Sequence, residues 1–331
     1  MTFLGFLHTL WLTMLAGGIM NNKDAHYLKN KTVLVYGATG GIGRAVVSVF
    51  HGCGARVIAG GRNCGELEAV GREQGTDQSL FCADFTDLDN LIKNRDRLMK
   101  TIGRLDILVI TAGHDIRKLF HQQTADEIGR TIRTNLVGTA LLLNTFLPVF
   151  RQQGAGTVAT VGGFGDGRLA FPCHALDASC RAGVRTLFEG VQRENPETSL
   201  RFLYFCPPAV STKTETPYIS LWEELGVGIV TPETAAEQLA GALRRGKSWY
   251  MTGSAFERFG VRLNAVFPGL ANRLFMNAMG KTMLRYSSGG RPDHDHTIAK
   301  LPESKSHLFF HFPVSLWMQR LHGCPVEAIH F

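Results

Sequence analysis

The sequence has 331 residues, of which 44% are hydrophobic and 19% are charged. This balance is typical of a globular protein and excludes a disordered chain, a collagen and a coiled coil. The formal net charge of +7 is too diluted along the chain to indicate a nucleic-acid partner. The seven cysteines include no Cys-x-x-Cys pair, so we expect reduced thiols in a cytosol-facing domain rather than a zinc site.

The N-terminus is an apolar run. Residues Phe3 to Met20 carry no charged side chain, and a run of this length is about enough to cross a bilayer as one helix. Three lysines follow it, which by the positive-inside tendency puts the rest of the chain on the cytoplasmic side. Residues 1–30 are therefore predicted to be a membrane anchor. A cleaved signal peptide, a buried leader or an alternative start at Met20 stay open; without an anchor, the protein would be cytoplasmic.

From residue 31 to residue 253, short apolar runs alternate with longer amphipathic segments. The predicted strands are Thr32–Tyr36, Arg56–Ala59, Ser79–Cys82, Ile107–Ile110, Gly156–Val161 and Leu200–Phe205. The predicted helices are Ile42–His51, Glu66–Gln74, Leu88–Thr101, Ala125–Arg151, Asp177–Asn195 and Pro232–Arg245. Strands that are apolar throughout are typical of a parallel sheet covered on both faces. We therefore predict one α/β domain over residues 31–253, a doubly wound parallel sheet of the Rossmann type.

The end of the chain is basic and amphipathic at first. From Phe256 to Leu274, apolar residues recur at three- and four-residue spacing with basic residues between them, which predicts a helix with one apolar face. Pro268 predicts a bend in that helix. Residues 254–286 are predicted to be an extension that lies on a membrane surface or packs on its own domain. Residues 287–331 have little periodicity and are predicted to be a flexible tail without a metal site.

A glycine-rich turn follows the first predicted strand directly. Its sequence is Gly37-Ala38-Thr39-Gly40-Gly41-Ile42-Gly43, and a helix is predicted to begin at once. Glycines let the backbone turn tightly and approach a pyrophosphate, whose charge then lies at the N-terminus of the helix. The turn therefore predicts a dinucleotide site. Its cofactor-binding residues are Gly37, Thr39, Gly41, Ile42 and Gly43.

The next two predicted strands indicate which dinucleotide is bound. An acid near the end of the second strand usually binds the ribose hydroxyls of NAD(H). Here Gly61 leaves that position empty, and Arg62 can pair with a 2′-phosphate. The sequence therefore favours NADP(H) over NAD(H). After the third strand, Asp84 is predicted to accept a hydrogen bond from the adenine amino group; the alternative is that it caps a helix.

Together these motifs resemble the short-chain dehydrogenase/reductase family, from about Lys31 to Gly253. The glycine turn has that family's spacing. The residues that end in Ala112 and Gly113 are similar to its fourth strand and Asn-Asn-Ala-Gly turn, which implies that both lie against the cofactor. Asn135 matches the family's structural and catalytic asparagine. The resemblance implies hydride transfer between a nicotinamide and a carbonyl or alcohol.

The chain departs from this family at the proton-transferring residues. The family uses a serine to hold the substrate oxygen, a tyrosine to transfer the proton, and a lysine four residues later to lower the tyrosine pKa. In this sequence Asp177 stands at the tyrosine position and Arg181 at the lysine position, with Gly163 or Phe164 at the serine position. Of the four usual catalytic residues only Asn135 remains. The candidate catalytic residues are therefore Asn135, Asp177 and Arg181.

Three hypotheses stay open for the chemistry. In the first, Asp177 is the acid, with its pKa raised by burial, and Arg181 orients the substrate or the ribose. In the second, His174, His114 or Tyr218 supplies the proton. In the third, the protein is an inactive, cofactor-binding pseudoenzyme, and Asp177 and Arg181 form an ion pair on an exposed helix face. A non-redox cyclisation or isomerisation in the same cleft is a further alternative.

The sequence as a whole predicts an enzyme. We expect an NADP(H)-dependent oxidoreductase that acts on a small apolar or lipid-like carbonyl or alcohol with a non-standard proton donor. We expect it at a membrane surface, with the catalytic domain facing the cytoplasm. Homo-oligomerisation stays open.

Overall fold

A computed structural model describes residues 22–75, 80–163, 167–253 and 255–287. The predicted N-terminal apolar run and nearly all of the predicted flexible tail lie outside these residues, as does Phe164. None of the helices within them is both long enough and apolar enough to cross a membrane.

Strands and helices alternate through most of the described chain. In chain order the strands are β1 (Thr32–Tyr36), β2 (Arg56–Gly61), β3 (Leu80–Cys82), β4 (Ile107–Ile110), β5 (Ala155–Val161), β6 (Ser199–Cys206), β7 (Ala209–Val210), β8 (Ile229–Val230) and β9 (Trp249–Met251). The helices are α1 (Asn22–Leu28), α2 (Gly41–Gly52), α3 (Cys64–Gln74), α4 (Leu88–Ile102), α5 (Ala125–Ile132), α6 (Thr139–Gln153), α7 (Ala175–Arg193), α8 (Ile219–Glu224), α9 (Pro232–Arg244), α10 (Ala255–Val266), α11 (Pro268–Phe275) and α12 (Lys281–Ser287).

Seven of the strands form one sheet in the order β3-β2-β1-β4-β5-β6-β9, and every pair in it is parallel. This is the strand order of a doubly wound sheet, so the predicted fold class is confirmed. The six predicted strands exist and end within two residues of their predicted bounds. β9 was not predicted, because three residues give too little periodicity to read. β7 and β8 pair separately from the sheet.

The sheet is buried on both faces. Because side chains alternate along a strand, Leu34 packs in the hydrophobic cluster on one face, while Val33 and Val35 pack in the cluster on the other. Phe146 and Phe150 cover the first face from α6, and Phe50 covers the second from α2. This double burial explains why the predicted strands are apolar at every position.

The helix predicted over Ala125–Arg151 is interrupted. A π-helical segment, Arg133–Gly138, separates α5 from α6. Hydrophobic periodicity does not reveal such a segment, since the chain stays helical on both sides of it. The interruption includes Asn135, and π-helical turns are frequent at functional sites.

The C-terminal helices bend where predicted. α10 ends at Val266, and Pro268 is the first residue of α11, a position at which its missing N–H costs no hydrogen bond. At the other end of α11, the ring of Phe275 lies 5.3 Å from that of Phe171. Met283 of α12 packs with Leu221 in a separate hydrophobic cluster.

Cys64 and Cys82 form a disulfide, with their Cα atoms 5.4 Å apart. The prediction that the cysteines are reduced thiols is wrong for this pair. The sequence separates them by 18 residues, but the parallel pairing of β2 with β3 places Gly61 beside Cys82, and Cys64 begins α3 three residues after Gly61. Spacing alone does not reveal that proximity.

The disulfide is expected to stabilise the fold. Closing a loop of this length restricts the unfolded chain by about 3 kcal/mol, so Cys64→Ser should lower the free energy of unfolding by about that amount. Urea denaturation under non-reducing conditions measures it. Cys53→Ser is the control, because Cys53 is a free cysteine. Equal stability of both variants would contradict the stabilising role.

Candidate functional site

The predicted site residues lie at the carboxyl edge of the sheet, where the first glycine turn leaves β1. Gly37 has a φ of +96°, and its amide donates to the carbonyl oxygen of Gly60 at 2.8 Å. A Cβ atom at Gly43 would lie 2.1 Å from the carbonyl oxygen of Gly37. The turn is therefore so tight that only glycine fits at both positions.

This turn leaves the beginning of α2 open to a ligand. Gly40, the N-cap residue, supplies no side-chain hydrogen bond, and the first turn of the helix contains no acid. The amides of Gly41, Ile42 and Gly43 have no acceptor within the helix, as at any helix N-terminus. The side chain of Arg44 fixes Thr39 of the turn, because its Nε donates to the carbonyl oxygen of Thr39 at 3.2 Å. The glycine turn and the amides of Gly41, Ile42 and Gly43 are called the phosphate cradle below. This cradle fits the pyrophosphate of a dinucleotide.

The second and third strands end beside this cradle. Arg62 is exposed after β2, and its guanidinium makes no hydrogen bond or ion pair within the described residues. Asp84 follows β3, and its Oδ1 accepts from the amide and the hydroxyl of Thr86 at 2.9 and 2.8 Å. Asp84 does not cap α4, because the N-cap is Asp87. The helix-cap alternative for Asp84 is therefore wrong.

Asn135 links the loop after β4 to α7. Its Oδ1 accepts from the amide of His114 at 2.7 Å, and its Nδ2 donates to the carbonyl oxygen of His114 at 2.8 Å and to Oδ1 of Asp177 at 2.9 Å. Ala112 and Gly113 immediately precede His114. A Cβ on Gly37 would lie 2.5 Å from the amide nitrogen of Ala112. The loop therefore lies directly against the glycine turn.

Asp177 and Arg181 form a tight pair inside the site. Nε of Arg181 donates to Oδ2 of Asp177 at 2.5 Å, and Asp177 is only 8% exposed. The hypothesis of an ion pair on an exposed helix face is therefore wrong, because Asp177 is buried and also accepts a hydrogen bond from Asn135. Both carboxylate oxygens of Asp177 accept hydrogen bonds, Oδ1 from Asn135 and Oδ2 from Arg181.

Arg181 occupies the position that resemblance assigns to a serine side chain. A Cβ built on Gly163 would lie 2.9 Å from Nε of Arg181, so the guanidinium fills this space beside the end of β5. Burial alone would lower the pKa of Arg181, but the Asp177 carboxylate, and after it Tyr204, hold that pKa above its usual value. The guanidinium therefore places a positive charge beside the end of β5, where the resemblance implies a serine that holds the substrate oxygen.

The three alternative proton donors have different surroundings. His114 is half-buried, and burial, assisted by the charge of Arg130, lowers its pKa below the usual 6.5. His174 places Nδ1 3.0 Å from the carbonyl oxygen of Pro172. The ring of Tyr218 lies 4.0 Å beneath the guanidinium of Arg117. His114 is joined to Asn135 through its backbone amide and carbonyl, not through its ring.

One Tyr-x-x-x-Lys spacing does occur in the sequence, from Tyr27 to Lys31. It precedes β1 and lies at the opposite edge of the sheet, where both residues line a groove of about 480 Å³ with Arg104 and Arg201. It therefore supplies no group to the site. No cluster of three metal-ligating side chains occurs in the parts of the chain that the structure describes.

A family comparison fits this geometry. The sequence profile described as short chain dehydrogenase matches residues 31–220, which is more than half of the chain. The chain belongs to the short chain dehydrogenase family. The prediction made from its motifs is thereby confirmed.

Three similar proteins are 22–23% identical to this chain. Dehydrogenase/reductase SDR family member 7B of Bos taurus is 23% identical over 271 residues, which cover 77% of this chain and 83% of the relative. A short-chain dehydrogenase of Streptomyces avermitilis, of solved structure, is 23% identical, with a TM-score of 0.63 over 73% of this chain and 95% of its own. ElxO, solved with NADP bound, is 22% identical, with a TM-score of 0.58 over 63% and 90%. The two structures share the fold.

Two features of the site were not predicted from the sequence. Arg117 donates to Asp115 at 2.7 Å and to both carboxylate oxygens of Glu215 at 3.1 and 2.6 Å, which joins the β4 loop to the segment after β7. Thr212 of that segment lies so close to Gly41 that a Cβ there would be 2.7 Å from its Cγ2. The only sequence signal was that both segments follow carboxyl ends of strands.

Proposed function

We propose that this short chain dehydrogenase is an NADP(H)-dependent oxidoreductase of small apolar carbonyls or alcohols. The observation that carries this proposal is the uncapped start of α2 behind the tight turn of Gly37 and Gly43. Arg62, whose guanidinium has no partner within the described residues, follows the next strand. Free amides at a glycine-rich turn that starts a helix after a strand are the arrangement that binds a pyrophosphate.

The chain's residues fit each part of the cofactor. The amides of Gly41, Ile42 and Gly43 would hold the pyrophosphate, and Arg62 would pair with the 2′-phosphate. Ala112 and Gly113 would lie against the dinucleotide in the crevice at the carboxyl edge of the sheet. The nicotinamide, when bound, supplies or accepts a hydride. The NADP in ElxO supports this choice of cofactor.

Arg181 is the residue that we propose to act on the substrate oxygen. Its guanidinium stands beside Gly163, is held by Asp177 and stays protonated. A fixed cation at a developing alkoxide lowers the barrier of a carbonyl reduction because it needs no reorganisation. In this account Asp177 and Asn135 position Arg181, and the alkoxide takes its proton from one of the three candidate donors, His114, His174 or Tyr218.

The expected substrate is apolar because of the side chains around His174. The ring of His174 contacts those of Phe171 and Trp222, and Phe275 packs on Phe171. A substrate beside these apolar side chains is expected to present hydrocarbon rather than charged groups to them. It supports a lipid-like carbonyl or alcohol rather than a sugar.

The cofactor choice rests on Arg62. We expect Arg62→Ala to weaken NADPH binding about 10- to 100-fold, the usual contribution of hydrogen bonds to a charged group, and to leave NADH binding unchanged. Fluorescence titration with both cofactors measures this. Arg151→Ala, at an exposed position on α6, is the control. An equal loss for NADPH and NADH would contradict the assigned role.

A second function, that of a pseudoenzyme that binds the cofactor without turnover, is favoured by one observation. Both oxygens of Asp177 are engaged, and the position holds no phenol. The two functions are separated by incubating the protein with NADPH and a panel of apolar ketones and aldehydes. Binding with cofactor oxidation supports the oxidoreductase. NADPH binding supports the pseudoenzyme if none of the carbonyls oxidises NADPH and no alcohol is oxidised by NADP.

A further inference from the structure

We infer that a surface at the bend between α10 and α11 docks this protein on an anionic lipid bilayer. The surface consists of Phe259, Val266, Phe267 and Leu270 and is called the apolar tip below. It is independent of the cofactor site, so its test does not depend on the proposed reaction.

The four exposed side chains of the apolar tip lie within a stretch of twelve residues. Phe259 is 60% exposed, Val266 67%, Phe267 59% and Leu270 51%. In the rest of the described chain, the exposed large apolar side chains are Leu88, Ile92, Phe120 and Val137, and of these only Phe120, at 57%, is as exposed as the tip. Scattered exposed side chains are normal in soluble proteins, whereas a contiguous patch marks an interaction surface.

Other residues of α10 attach the apolar tip to the rest of the protein. Phe259 and Val266 are seven residues apart and share one face of α10, and Val261 is fully buried on another face. Asn264 donates to the carbonyl oxygen of Arg168. All residues from 265 to 270 are exposed, so the bend presents an uninterrupted apolar segment outward.

Exposed basic residues accompany the tip in the sequence and are called the basic ring below. Arg262, Arg273 and Lys281 are exposed, and none of them makes an ion pair or hydrogen bond within the described residues. Glu257 is the only acid between residues 254 and 287. An apolar segment with exposed basic side chains near it in the sequence matches the interface of an anionic bilayer, where the hydrocarbon takes up the apolar side chains and the headgroups neutralise the charges.

Charge argues against two other occupants. The chain's own residues 288–331 contain four basic and four acidic side chains, so they offer no net negative charge to the basic ring. A second copy would bring the same basic ring to a symmetric interface. The anionic bilayer is the partner whose charge is complementary.

The test places a reporter in the tip of the full-length protein. Phe267→Trp is mixed with phosphatidylcholine vesicles that contain brominated acyl chains, with or without phosphatidylserine. The tryptophan fluorescence that Phe267→Trp adds to that of the unaltered protein is expected to be quenched when phosphatidylserine is present. Much less quenching is expected without phosphatidylserine or at high salt. Quenching by acyl-chain bromine reports entry of position 267 itself, whatever the N-terminal run does.

Leu88→Trp is the matched control. Leu88 is also exposed, but Asp87 and Asp89 flank it, so no quenching is expected there. The double variant Arg262→Glu, Arg273→Glu, combined with Phe267→Trp, is expected to lose the preference for phosphatidylserine. Unquenched emission from Phe267→Trp on phosphatidylserine vesicles would overturn the inference; concentration-dependent dimerisation or crosslinking of residues 288–331 to the tip would then identify the occupant.

Discussion

Gly43→Ala is expected to weaken NADPH binding by about 100-fold, the largest effect on the cofactor site. The added Cβ would lie 2.1 Å from the carbonyl oxygen of Gly37 and 2.8 Å from its carbonyl carbon. Both contacts are with backbone, which cannot rotate away, so the turn has to open and the amides of α2 move from the pyrophosphate. Fluorescence titration with NADPH measures the loss.

Gly52→Ala is the control for this change. Gly52 is the last residue of the same helix, and a Cβ there meets no atom within 4 Å. We expect its NADPH affinity to equal that of the unaltered protein. Circular dichroism of both variants reports whether the fold is kept. NADPH affinity in Gly43→Ala equal to that in Gly52→Ala would contradict the assigned phosphate cradle.

Arg181→Ala is expected to lower kcat by about 100- to 1000-fold, the usual cost of removing one group that stabilises an oxyanion. NADPH affinity should change little, because the cradle lies in α2. The variant removes the cation beside Gly163 and leaves Asp177 buried without its partner. Steady-state kinetics with the best ketone of the panel measures the effect.

The same helix offers the control. Arg185 lies one turn later and pairs with Glu189, so Arg185→Ala removes an arginine and an ion pair outside the site, and we expect kcat to be unchanged.

Asp177→Asn separates positioning from acid catalysis. It keeps an oxygen acceptor for one of the two donors, so we expect a smaller loss than in Arg181→Ala. A larger loss in Asp177→Asn would return the acid role to Asp177.

The sequence predicted the fold and the cofactor turn because both depend on local patterns. The glycines from Gly37 to Gly43 follow a strand and start a helix, and the structure has that arrangement. Apolar strands such as Thr32–Tyr36 predict burial on both faces, which the two clusters around Leu34 and Val35 confirm. These features are encoded within a few residues of one another.

The features that the sequence did not predict depend on contacts between distant residues. Arg117 and Glu215 are 98 residues apart, and each is individually typical of a solvated surface. The burial of Asp177 depends on Asn135, 42 residues earlier, and on a π-helical segment that leaves no periodic signal. The pattern of α7 alone could not decide which of its faces the β4 loop covers.

The central claim is that the backbone amides at the start of α2 bind the pyrophosphate of NADPH. The most direct measurement is the amide chemical shifts of Gly41, Ile42 and Gly43 during titration of the full-length protein with NADPH. We expect these amides to shift saturably, while that of Gly154, at the opposite edge of the sheet, stays constant. If Gly41, Ile42 and Gly43 do not shift while NADPH is in large excess, the claim is contradicted.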